Sequence, residues 1–459
     1  MLGVIVLRKG YYWIGGYLIS RRKDSTLEQG REYVTHVILT VADHFEPSRS
    51  EGKAGERRVQ EWCDKYREIA GRHLDSDGRC FQHTWFYRYD YPNSECLRTL
   101  ASACYDGFGE IEFHLHHGYD TPSGFSEKLD HGLTWFNSAG AMLTTEEKPK
   151  RTFAYIAGNW ALDNGRGDPA FSGVNTELQI LGRYGCFADF TFPAYGENSQ
   201  PGKVNSIYYA AGTPKPKSYN TGLDMAVGIK NEGDLLIFQG PLYVDWKAGF
   251  VEHAALETAH PYHQERSKYW LNAHVHVRGR PEWTFVKLHT HGMQSQEMFL
   301  SSQIEQMLND VETMCSGPTY QLHYVTAREA YNIARAAEAG YEGNPDDYRD
   351  YEIPPPVNRF VYCNRPYTVN LFANDHVQIQ FNSTQPGTEL RINRSINVEI
   401  SEADSLQSVE LILRDPDEVY LNIRGSGQCN LLVRTETQEL IVRDTVDLPC
   451  QRAISIQPN

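Results

Sequence analysis

Between residues 33 and 340 the sequence alternates short apolar, β-branched runs with amphipathic helical stretches, and this alternation limits the fold more than any other feature. The run YVTHVILTV at 33–41 is apolar almost throughout, the pattern of a strand buried on both faces. Further strands are expected at 80–88, 109–116, 151–157, 186–192, 234–239, 283–288 and 320–325. A helix is expected at 56–73, with Val59, Trp62, Cys63, Tyr66 and Ile69 on one face. Others are expected at 175–184, closing on Gly185, at 304–314, and after Thr326, where Thr326 and Glu329 have capping-box spacing. About eight strands in this order imply a parallel sheet, and closure into a (β/α) barrel is the economical arrangement.

Polar residues fall at the C-terminal ends of these strands, the edge on which such sheets build their sites. In EIEFHLHHGYDTP, residues 110–122, the period of two puts Glu110, Glu112, His114 and His116 on one face. A hydrogen-bonded polar strand end would account for one such cluster. A second cluster repeats the design far away: FVKLHTHG at 285–292 places His289 and His291 on one face. Asp43-His44 and Asn159-Trp160 end two further strands, so imidazoles and carboxylates from four strands are expected to converge. Imidazole is the commonest protein metal ligand, which makes a metal site the leading expectation.

The flanks read differently. Residues 341–358, acidic and then Pro354-Pro355-Pro356, form a linker, so residues 33–340 are one domain and residues 359–459 another. The last hundred residues hold short alternating stretches (YTVNLF, HVQIQF, INVEI, SVELIL, VYLNI, CNLLV), which predicts an antiparallel β-sandwich. Residues 1–32 read as a surface arm or edge hairpin, with a membrane-surface anchor as the alternative. Their apolar runs are interrupted by Arg8-Lys9 and by glycines, well short of the roughly 20 residues of a membrane span. A formal net charge of -15 argues against nucleic acid and acidic membrane surfaces as partners. The nine cysteines are scattered singly and no leader-peptide pattern is evident, which points to a reducing, cytoplasmic setting.

Taken together, Thr40-Val41-Ala42-Asp43, Glu110-Ile111-Glu112-Phe113-His114 and Leu288-His289 resemble three motifs of the polysaccharide deacetylase (NodB-like, carbohydrate esterase) superfamily, over roughly residues 34 to 340. The resemblance implies a distorted (β/α) barrel, followed here by the all-β sandwich, and one divalent metal ion. It places Asp43 and His114 as metal ligands, with His116, His117 or Asp120 completing the set, and His289 as the catalytic acid. It also shows departures. The family's base position is occupied by Ala42, which leaves His44 or Glu46 as the local candidate for the base, with His291 orienting His289 or sharing its role. The family's Arg-Pro-Pro-Tyr motif is replaced by Asn159-Trp160-Ala161-Leu162-Asp163-Asn164. There Asn159, Trp160 and Asp163 offer an aromatic face with amide and carboxylate partners for sugar hydroxyls.

A mixed N/O ligand set suits Zn²⁺ foremost, with Ni²⁺, Co²⁺ or Mn²⁺ as alternatives. The expected function is a metal-dependent hydrolase removing acetyl groups from a polysaccharide or precursor sugar. The alternative is a non-catalytic carbohydrate-binding or scaffold protein of a polysaccharide pathway that keeps the metal site.

Overall fold

The computed structural model of the protein describes residues 7–25, 33–47, 52–142, 152–365, 367–372, 376–381, 388–402, 408–414, 418–437 and 439–455. They fall into two compact units. One lies within Met1–Pro92, Phe108–Leu129 and Phe153–Pro354, the other within Asn93–Gly107, Asp130–Thr152 and Pro355–Asn459. No helix among the described residues is long and apolar enough to cross a membrane.

The chain opens with helix α1 (Gly10–Ser25), strand β1 (Thr35–Phe45), α2 (Lys53–Ala70), β2 (His83–Arg88), α3 (Ser94–Tyr105, grouped with the second unit) and β3 (Gly109–Leu115). It continues with α4 (Pro122–Asn137), β4 (Phe153–Ala157), α5 (Glu177–Arg183), β5 (Cys186–Asp189), β6 (Ile207–Ala210), β7 (Leu223–Asp224) and β8 (Leu235–Phe238). A small hairpin of β9 (Tyr243–Asp245) and β10 (Phe250–Glu252) precedes α6 (Glu265–Ala273) and β11 (Trp283–Thr290). Two further helices, α7 (Gln296–Phe299) and α8 (Ser302–Met314), then β12 (Tyr320–Tyr324) and α9 (Ala327–Glu338) complete this part of the chain.

The first unit is mixed α/β, built on a ten-stranded sheet in the order β11-β1-β2-β3-β4-β5-β8-β6-β7, with β12 also on β1. From β11 to β8 the pairs are parallel, whereas β8–β6 and β6–β7 are antiparallel. Every residue of β1 after Thr35 is buried, as its apolar sequence demands. The α2 face named above is buried as a set. At the start of α9, Thr326 Oγ1 accepts from Glu329 N and Glu329 Oε2 accepts from Thr326 N, completing the capping box.

Among the described residues no ladder joins β8 to β11. Phe238 of β8 meets Phe285 of β11 edge-on, ring centroids 5.4 Å apart, yet both strand edges are already in use. β8 bonds to β6, while β11 bonds to irregular chain: Phe285 N donates to Val275 O at 2.7 Å and His289 N to Ala254 O at 2.9 Å.

Two expectations need correction. Where an arm or edge hairpin was expected, residues 10–25 form a helix, with Trp13 and Tyr17 one turn apart and buried against Val204, Leu242 and Val244. Burying a large apolar side chain in this way is worth roughly 1.5–3 kcal/mol. Of the glycines that suggest a turn, Gly16 serves packing instead: a Cβ there would stand 1.9 Å from the Gly202 carbonyl oxygen.

The C-terminal strands, β13 (Val361–Cys363), β14 (Tyr367–Phe372), β15 (His376–Phe381), β16 (Thr388–Ile392), β17 (Ile396–Glu402), β18 (Ser408–Leu413), β19 (Glu418–Thr435) and β20 (Leu440–Ser455), make one curled eight-stranded sheet. It is not antiparallel throughout, because β15–β17, β16–β18, β17–β19 and β18–β19 pair in parallel. Alternation reveals which face is buried, here Val398 and Ile400 or Val409 and Leu411, but carries no information on strand direction.

Candidate metal centre

Strand parity assembles the site. On β1, His44 and the following Glu46 are two residues apart and face one way, whereas Asp43 and Phe45 face the other, toward Trp62 of α2. Pro47 lacks an N–H for further pairing, and the chain leaves the sheet just past Glu46. Across the sheet, Arg88 of β2 is in register with His114 of β3, and His116 follows one residue beyond that strand. On the other flank Ala42 is level with His289 of β11, which puts His291 level with His44.

Glu46 is the hub. Its Oε1 lies 3.1 Å from His114 Nε2 and 3.4 Å from His116 Nε2, while its Oε2 accepts from Gln294 Nε2 at 3.1 Å and Arg88 at 3.3 Å. The donor atoms of Glu46, His114 and His116 lie within 4.8 Å of one another, and so do those of His44, Glu46 and His291. Burial alone would raise the Glu46 carboxyl. The hydrogen bond and charge of His114, with His116 and His291, bring it down to about 2.

Each of the outer histidines is held from behind. His114 Nδ1 donates to the Ile156 carbonyl at 2.9 Å, His116 Nδ1 faces Asp90 Oδ1 at 3.2 Å, and His291 Nδ1 faces Glu257 Oε1 at 2.6 Å. Such bonds fix the tautomer and turn the other ring nitrogen, with its lone pair, toward the centre. Burial lowers the His114 ring against the pull of the Glu46 carboxylate. With Nδ1 bonded to the carbonyl, Nε2 and Glu46 Oε1, 3.1 Å apart, need a proton or a cation between them. His44 adds a fourth ring: it is 2% exposed, and its Nε2 has no hydrogen-bond partner among the described residues. Burial, then the neighbouring His291, His114 and His289, keeps His44 well below the usual imidazole range. The donor set and its orphaned nitrogen fit a metal ion.

Other expected residues are placed as follows. Trp160 reaches the cluster, its ring 5.6 Å from His44 and 5.5 Å from His291. Asn159 and Trp160 both have left-handed backbone, φ 55° and 52°, a conformation a bulky residue rarely takes without a structural reason. Gly158 lets the chain pass close to His116, since a Cβ there would stand 2.6 Å from that ring. Asp163 is not at the site. It is fully buried, its Oδ2 accepts from the Ser218 backbone and hydroxyl, and burial pushes it up to about 7.

Asp43 is likewise outside the donor group. Fully buried on the α2 side of the sheet, it accepts from His83 Nε2 at 2.9 Å and from Gly292 N at 2.6 Å. It therefore fastens the backbone immediately after His291. His289 sits one row deeper, level with Ala42, its ring 6.2 Å from His44 and its Nδ1 without a partner. His117 and Asp120 turn away and bond to each other at 3.1 Å, and His117 Nε2 lies 3.2 Å from Glu177. With carboxylates on both ring nitrogens outweighing burial, His117 rises to about 9.

Glu257, Asp90 and Arg88 carry no signal in the sequence, because they lie in or beside irregular chain that only the tertiary fold brings to the histidines. Glu46, by contrast, could have been recognised as a member of the cluster from its shared parity with His44. No protein-family model matches this chain, and no curated protein sequence matches it either.

Proposed function

We propose that the protein is a divalent-metal-dependent hydrolase, with Glu46, His114 and His116 holding the ion and an acetylated carbohydrate as substrate. The observation that carries this reading is the arrangement of the rings. His114, His116 and His291 are each tied from behind, and they crowd one carboxylate together with the partnerless His44 Nε2. Clustering four histidines in one buried place costs hydration and invites mutual repulsion, which a merely structural strand end has no reason to bear.

An ion held there would polarise an acyl carbonyl and lower the pKa of a bound water toward about 7. The chain's own groups supply the rest. His44 accepts the proton of the attacking water at its free Nε2. As the acyl C–N or C–O bond breaks, His291, oriented by Glu257, gives a proton to the leaving nitrogen or oxygen, and acetate departs. Trp160 offers an aromatic face on which a sugar ring can stack. His289, buried one row deeper, supports the two rings above it instead of serving as the acid. Glu46 replaces Asp43 as the carboxylate ligand, a departure from the polysaccharide deacetylase pattern. The parallel-rich sheet with its site at the C-terminal strand ends suits a distorted barrel of that type.

Acetate release from a panel of acetylated oligosaccharides, with Zn²⁺, Ni²⁺, Co²⁺ or Mn²⁺ supplied, tests the reading. Release that depends on metal and falls about 10²- to 10⁴-fold in His291→Ala supports it. No release by folded, metal-loaded protein overturns hydrolysis and favours a carbohydrate-binding protein that keeps the ion.

A further inference from the structure

Helix α1 has two apolar faces, and the fold uses one of them. Trp13, Tyr17 and Ser20, close together at helical spacing, are buried against the first unit. On the opposite side Tyr11 is 75% exposed, Leu18 50% and Ile19 56%, with Gly15 between them and Tyr12 beside them. At 100° per residue these positions form one continuous stripe. Isolated apolar residues on a surface are ordinary, but a stripe along a single helix is not.

The charge around the stripe says what covers it. The protein carries a formal net charge of -15, yet residues 1–23 contain no Asp or Glu and include Arg8, Lys9, Arg21, Arg22 and Lys23. Arg8 and Lys9 precede the helix, and Arg21, exposed although its guanidinium also donates to the Asn272 carbonyl and lies over the Tyr243 ring, is in its last two turns. Cations thus stand at both ends of an exposed apolar stripe in an otherwise acidic chain. The tyrosines at its N-terminal end are a residue type enriched at membrane–water interfaces.

We propose that α1 is a membrane-surface docking element that seats Tyr11, Leu18 and Ile19 in the interface of an anionic bilayer, with the flanking Arg and Lys residues on lipid headgroups. The helix lies in the interface and does not span it. The overall negative charge conceals this site, because repulsion from distant acidic residues is screened beyond about 8 Å at physiological ionic strength.

Flotation of the full-length protein with vesicles tests the proposal. One set is phosphatidylcholine with a third phosphatidylglycerol, the other pure phosphatidylcholine. Binding to the anionic set, weakened at high salt and reduced about tenfold or more in the Leu18→Gln/Ile19→Gln double variant, is the expected result. Both positions are exposed, so the variant should melt like the wild type, and its metal content serves as a second control on folding. Absence of binding to anionic vesicles overturns the proposal, as does equal binding by the double variant. So does light scattering that shows a dimer lost in the variant, which would make a second copy the occupant. None of these outcomes bears on the hydrolase reading, whose residues lie elsewhere.

Discussion

Glu46 Oε1 stands 3.1 Å from His114 Nε2, while the other nitrogen of that ring is already bonded to the Ile156 carbonyl at 2.9 Å. Ring and carboxylate thus need a proton or a cation between them, and they are held in place by backbone on one side and by Arg88 and Gln294 on the other. The same motif recurs at His116 through Asp90, so His114 of β3 and His116 just beyond it converge on one oxygen.

In the proposed reaction Glu257 positions His291, whose Nδ1 it meets at 2.6 Å. Glu257→Gln keeps an acceptor but removes the charge, and is expected to lower kcat by about 10- to 100-fold. KM, metal content and melting temperature should stay near the wild-type values. A loss of metal or of stability in step with kcat would make Glu257 a structural residue only.

Gly158→Ala should damage the centre from outside it. The added Cβ would meet the His116 ring and backbone at 2.6 Å, and neither can retreat without moving the ring. Overpacking of this kind costs about 1–3 kcal/mol, and metal affinity should fall by about tenfold or more. Unchanged affinity in a metal titration would show that His116 is not held where the ion binds.

Asp163 predicts a pH-dependent stability. Burial raises its carboxyl from an ordinary 3.8 to about 7, so the folded protein keeps the proton where the unfolded chain has lost it. Its contribution to stability therefore falls as pH rises from about 4 to about 7 and levels off above, with a ceiling of about 4 kcal/mol. In Asp163→Asn the amide oxygen can still accept from Ser218, and this contribution should vanish, leaving that of Asp189, which burial likewise raises to about 7. Thermal unfolding of both proteins from pH 4 to pH 8 checks the sign; parallel curves would refute it.

Much of this arrangement is legible in the sequence because strand parity is local. The alternation in residues 110–116 places His114 and His116 together, and LHTH places His289 and His291 on one face. The capping box at Thr326 is legible for the same reason. What misleads is reading a motif in place of parity: Asp43 sits beside His44 in sequence but on the opposite face of β1, where it bonds to His83 and Gly292. Asp163 follows a strand end yet is buried under Ser218, since exposure in irregular chain has no period to read. The outer partners Asp90 and Glu257 depend on how loops return, and the curled C-terminal sheet on strand directions that alternation does not encode.

Metal content of the purified protein, measured by elemental analysis after exhaustive dialysis beside Glu46→Gln and His114→Ala, tests the central claim most directly. The wild type should hold about one divalent ion per chain and both variants should lose it, because two remaining ligands cannot fix the geometry. Wild-type protein without an ion, or variants that retain it at the wild-type level, would contradict a metal centre built on Glu46.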